Sequence, residues 1–173
     1  MKLIGSILIS LLVLVLAPGA SFADTQAFSH WGVSKDAERY EAYVLSSWKP
    51  GPKTAAELRS AGDRALALDP RGASNNFAYA VTADPKNADS WLGLAKALLA
   101  IKADPDKSSE AYDLPVNASA AAYRAYERAS TPALKSKALS VLSDALIRRA
   151  MWRPAIDTLK ASLTLVEDAK VRE

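Results

Sequence analysis

Four oxygen-bearing side chains alternate in KADPDKSSEAYDLPVN, residues 102–117: Asp104, Asp106, Ser108 and Glu110. Alternating carboxylates and hydroxyls on a short loop are how a calcium ion gathers its oxygen ligands. Such a loop also needs glycine at its sixth place, for the sharp turn, and a bidentate glutamate at its twelfth. Counted from Asp104, those places hold Ser109 and Pro115. The segment therefore reads as a solvated loop between helices, and long loops in compact domains often carry contacts.

Other chemistry is harder still to assemble. The chain has one histidine, His30, and no cysteine. A thiol nucleophile, a thioester and a thiolate metal site are excluded, and a single imidazole cannot build a histidine metal cluster. The acidic residues have no partner suited to general acid–base work, and neither a nucleophile elbow nor a phosphate or dinucleotide fingerprint occurs. The reading is not an enzyme, with no catalytic residues, no cofactor and no metal. Asn117 opens a glycosylation sequon, NAS, but reads as the cap of a helix starting there. Arg148 and Arg149 read as cations complementing the end of a helix. The net charge is +3 with both signs interspersed, which argues against nucleic acid as partner.

The chain opens MKLIGSILISLLVLVLAPGASFADT. Lys2, the apolar run Leu3 to Leu16 and the small residues before Asp24 have the order of a secretory signal, with cleavage expected after Ala23. The run is shorter than the ~20 residues of a spanning helix, and Pro18-Gly19 break it. The expected location is therefore the periplasm, with membrane contact only in transit. Removing residues 1–23 takes one lysine and no acid, leaving 150 residues of charge +2, enough for one domain with its own core.

The elements behind these residues are helical. Period-3.6 spacing recurs and β-branched runs are scarce, so the fold class is all-α. Ser34 is expected to cap a helix through about Trp48, striped by Ala37, Tyr40, Val44 and Trp48. That helix, within an N-terminal segment 24–53, should fold back over the first repeat as a lid. KPGPK stops it, and Thr54 with Glu57 forms a capping box for the next, whose face carries Leu58, Ala61, Ala65 and Leu68. A small–large–small pattern then occurs three times: Ala73, Phe77, Ala80; Ala122, Tyr126, Ala129; Ala155, Leu159, Ser162. Small outer places admit a neighbouring backbone, and the larger middle one fills the gap between helices.

Helices striped by Trp91, Leu94, Ala95, Leu98 and by Leu139, Leu142, Ser143, Leu146 precede the second and third patterns. Together the segments resemble tetratricopeptide repeats, helix–turn–helix units of about 34 residues. The expected architecture over 54–173 is a solenoid of about three helix pairs (54–87; 88–132 with an inserted loop at 103–117; 136–169) and an N-terminal capping helix. Trp91 should be wedged in the core rather than touch a ligand. In repeat register the concave groove would be lined by Leu92, Lys96, Leu99, Lys137, Asp144 and Arg148, suiting an extended peptide bearing carboxylates.

A narrower likeness runs from about Asp36 to the end. RYEAYVLSSWKPG, AAELRSAGDRALA, ADPKNADSWLGLAKALLAIK, YDLPVNASAAAYRAYERA and RRAMWRPAIDTLKASL together resemble the N-terminal region of bacterial alpha-2-macroglobulin-like proteins, insertion included. That resemblance implies an exported protease-inhibitor family guarding the periplasm beside a penicillin-binding-type peptidoglycan synthase. Its thioester, bait region and β-domains match nothing here, so no functional residue carries over. The expectation is a non-catalytic scaffold or docking domain, truncated from a longer protein. Its partners would be proteins or peptides, among them envelope or peptidoglycan-synthesis proteins. The alternative is a free-standing periplasmic adaptor binding extended peptides in the groove. On its spacing SLTLVEDAKVRE closes one helix and begins another, and Leu139, Leu142 and Ile156 are expected to be partly uncovered.

Overall fold

The computed structural model describes residues 32–107 and 109–171. The segment read as a secretory signal, His30 and Ser108 lie outside them. The described residues form seven helices and no strand: α1 (Val33–Ser47), α2 (Ala55–Ala65), α3 (Pro70–Ala83), α4 (Ala88–Ala100), α5 (Glu110–Arg128), α6 (Pro132–Arg148) and α7 (Trp152–Val171). The all-α expectation holds. None of these helices is long and apolar enough to cross a membrane.

Local chemistry explains most helix starts. At α2 the Thr54 hydroxyl accepts from the Glu57 amide while the Glu57 carboxylate accepts from the Thr54 amide, 2.8 Å away. Asp69, Asn87 and Thr131 accept amides of the first turns of α3, α4 and α6, and Pro70 and Pro132 sit where a missing N–H costs nothing. Three boundaries differ from expectation. Helix α1 starts from Gly32, at φ 76°, so Ser34 lies inside the helix and caps nothing. Glycine bears that left-handed angle without a Cβ clash, and the start buries Val33 completely. Leu68 falls beyond α2 and is 92 % exposed, because the chain turns at 66–69 to let Asp69 cap α3. Helix α5 begins at Glu110, so Asn117 lies within a helix that also contains Pro115, and the loop is confined to the residues before it.

Consecutive helices pack as pairs, α2 on α3, α4 on α5 and α6 on α7. The pairs also touch one another, α3 on α4 and α5 on α6, and the first helices lie side by side, α2 on α4 and α4 on α6. Short turns between helices packed along their length make neighbours antiparallel. The core follows this order. Phe77, Trp91, Leu94, Leu139, Leu142 and Leu146 are almost wholly buried. Leu139 and Leu142, expected to be partly uncovered, are buried instead. Buried serines are matched in that pair: the Ser136 and Ser162 hydroxyls lie 2.8 Å apart, and Ser143 donates to the Ala155 carbonyl at 3.0 Å.

Phe77 is held by absence of side chains around it. A Cβ on Gly62 would approach its ring at 2.8 Å, and one on Gly93 at 2.2 Å. Glycine inside a helix costs about 1 kcal/mol relative to alanine; here two of them let α2 and α4 close over the ring.

Helix α1 does fold back, but chiefly onto α5 and only secondarily onto α3. Its Val33, Ala37, Tyr40 and Val44 are buried, and the alanines of α5, Ala118, Ala121, Ala122 and Ala125, are all fully covered. Small side chains allow that close approach, and ions fix the choice of partner. Glu41 pairs with Arg124 and Arg128 of α5. Asp36 accepts from Arg149 at 2.9 Å, and the same guanidinium donates to Ser119 of α5 at 2.7 Å. Arg149 thereby ties the end of α6 to α1 and α5 together.

Candidate functional site

The side of the fold formed by α2 and α4 carries a cleft of ≈ 270 Å³. Arg59, Asp63 and Leu66 form one wall and Asp89, Leu92 and Lys96 the other, with Phe77 and Gly93 at the floor. Helical periodicity places Leu92 and Lys96 one turn apart on α4, and Gly93 between them opens the floor. Arg59 donates to the Asn87 side chain at 2.9 Å and approaches Asp89 at 3.9 Å, so one cation of the cleft is already held by the turn that caps α4. Two cations and two carboxylates share the opening, which is balanced in charge rather than basic.

Of the six residues read as groove contacts, only Leu92 and Lys96 meet in this cleft. Leu99 is half-buried on α4, and its carbonyl accepts a hydrogen bond at 2.6 Å from Arg148 of α6. Arg148 therefore satisfies an end carbonyl of a neighbouring helix, not of its own. Lys137 and Asp144 are exposed on α6, with no ion-pair partner among the described residues. Arg59, Asp63 and Asp89 escaped sequence reasoning, and Phe77 was read only as a core residue; the helical glycine in WLGLAK was the available sign that a backbone there is approached closely.

Trp91 does not line the cleft. Its side chain is 0 % exposed, its Nε1–H donates to the Pro85 carbonyl at 2.9 Å, and the Arg128 guanidinium stands 5.4 Å from the ring centroid. The ring binds the Asp84-Pro85 turn to α4 and lies beneath a cation that is itself paired with Glu41. No protein-family model, curated protein or solved structure matches the chain.

The inserted segment is organised around Glu110. Its carboxylate accepts from Arg71 at 2.7 and 2.8 Å and from the Asp104 amide at 2.6 Å, bringing α3, the loop and the start of α5 together. Asp104 in turn accepts from the Asp106 amide at 3.1 Å, a turn closed by its own side chain. Among the described residues no group of three or more His, Cys, Asp or Glu is arranged to hold a metal ion. The Arg71 guanidinium and the Asp104 amide hold the Glu110 carboxyl down at about 2. A depressed carboxyl contributes stability above its unfolded value of ~4.3 and loses that contribution as pH falls through the folded value. The Glu110 carboxyl carbon is therefore expected to titrate near 2 in a carbon-13 NMR series. Arg71→Ala should return the midpoint toward the ordinary glutamate range; an unchanged midpoint would contradict this account.

Proposed function

We propose that this chain is an exported, non-catalytic docking scaffold, built as a tetratricopeptide-like solenoid and related to the N-terminal region of bacterial alpha-2-macroglobulin-like proteins. The observation that carries the reading is the side-by-side run of α2, α4 and α6, each followed by a packed second helix. Stacked helix pairs create an extended surface along their first helices. In this chain that surface holds the α2–α4 cleft and the exposed Lys96 and Lys137. The small–large–small pattern supports the same reading: Ala73, Phe77 and Ala80 are all buried, as are Ala122 and Ala129 with Tyr126 half-buried between them. Burial of Trp91 removes the best candidate for an aromatic ligand contact.

Two measurements test it. The protein recovered from the periplasm should begin at Asp24; recovery from the cytosol with Met1 in place overturns export. A penicillin-binding-type synthase ectodomain titrated onto the chain should bind saturably. Lys96→Glu with Lys137→Glu should weaken that binding by about tenfold, or 1.4 kcal/mol. Arg148 stays unchanged in this variant because it holds α4. Absence of saturable binding by the unaltered chain overturns the proposed partner.

A further inference from the structure

Helix α7 turns an apolar stripe to solvent. Trp152, Ile156, Leu159, Leu163 and Val166 are between 38 % and 63 % exposed, and their spacing runs four, three, four, three. That interval is the seam along which two helices interlock. The inner side of the same helix, Ala155, Thr158 and Ser162, is already buried against α6.

Equivalent places earlier in the fold are covered, and by a helix each time. Phe77 and Tyr126 stand where Leu159 stands in the small–large–small pattern. Phe77 lies under Gly93 of α4, and Tyr126 has the Lys135 ammonium of α6 at 5.8 Å from its ring. In both cases the covering helix is the first of the following pair, running antiparallel to the helix it covers. Val81, at the place of Leu163, is fully buried, whereas Leu163 is 63 % exposed. The face of α7 thus has the shape of a slot for one more antiparallel helix.

We infer that this slot is filled by α7 of a second copy, the two helices crossing antiparallel about a two-fold axis at Leu159. Reversing the helix about that point sets Trp152 opposite Val166 of the other copy, each seven positions from Leu159. Ile156 and Leu163 then interdigitate. An isologous contact requires such self-complementarity. Charge agrees at the rim: with the axis at Leu159, exposed Arg153 lies two positions, ~3 Å of helix rise, from the other copy's Glu167, within reach of a side chain that on its own helix meets Asp157 at 3.6 Å. Lys160, one position from the axis, comes near its own copy and opposes pairing, one like-charge approach against two opposite ones. Parallel pairing lacks this match, since the other flank of the stripe is occupied by α6. The inference is independent of the proposed partner, whose surface lies on the first helices.

The chain has no cysteine, so a single introduced thiol reports self-contact without interference. Leu159→Cys should oxidise to a disulfide-linked dimer, because a residue on the axis meets itself within bridging distance. Ala56→Cys, exposed on α2, should remain monomeric under the same conditions. In sedimentation equilibrium the unaltered chain should associate to a dimer across a concentration series. Leu163→Glu should weaken that association on the order of a hundredfold while leaving the helical circular dichroism unchanged. A chain monomeric throughout, a dimer indifferent to Leu163→Glu, or equal cross-linking at position 56 overturns the inference.

Discussion

Trp91→Ala is expected to lower the free energy of unfolding by about 3–5 kcal/mol, the range for truncating a buried large aromatic side chain. The loss has two parts. The indole is completely buried between helices, so its removal leaves a cavity that the surrounding rods cannot fully close. Its Nε1–H also satisfies the Pro85 carbonyl, which orders the turn entering α4. Trp91→Phe keeps most of the ring and removes that donor, and should cost about 1–3 kcal/mol. Urea unfolding followed by far-ultraviolet circular dichroism measures both. Domains of this size have margins of about 5–15 kcal/mol, so the alanine variant approaches the limit of folding. A midpoint for Trp91→Ala close to that of the unaltered protein would mean the indole is not a core element.

Glu41→Ala should be the second most costly change, at about 2–3 kcal/mol. Removing one member of a buried ion pair costs roughly 3–5 kcal/mol, because the partner charge is left uncompensated. The figure is lowered here because the side chains keep some access to water: 18 % for Glu41, 14 % for Arg124 and 21 % for Arg128. The Arg124 Nε lies 2.9 Å from the carboxylate yet out of line for a hydrogen bond, so that contact acts through charge alone. Arg128 makes the hydrogen bond, and it also stands over Trp91. Loss of Glu41 therefore loosens α1 first and the Trp91 site after it. Hydrogen exchange should accelerate throughout residues 33–47 and much less in α4. Uniform acceleration across all helices would show that α1 does not open on its own.

The helices themselves were legible because their signals are local. Thr54 and Glu57 are three residues apart, and the alanine, phenylalanine and leucine stripes need only the 3.6-residue period to be seen. Trp91 could be assigned to the core for the same reason. The misjudged boundaries also have local causes that composition hid. Gly32 supplied a left-handed start where Ser34 was the more familiar cap, and Glu110 began a helix under the pull of Arg71, far back in the chain. The final segment reads as two helices from its spacing, yet α7 runs unbroken from Trp152 to Val171, since nothing between them interrupts the backbone ladder.

The candidate site was less legible. Leu92 and Lys96 came from repeat register and do share a cleft, but its opposite wall, Arg59 and Asp63, belongs to another helix with no pattern linking it to them. Arg148 and Arg149 look equivalent as neighbours in sequence; one holds a carbonyl of α4 and the other joins α1 to α5. Periodicity and capping act over one or two turns, and they determined that this chain is helical, where most helices begin and which faces are apolar. Which face meets which depended on partners as far apart as Asp36 and Arg149, 113 positions distant. Only the folded chain brings such charges together, and with them it settled the seat of α1, the floor beneath Phe77 and the stripe that α7 leaves uncovered.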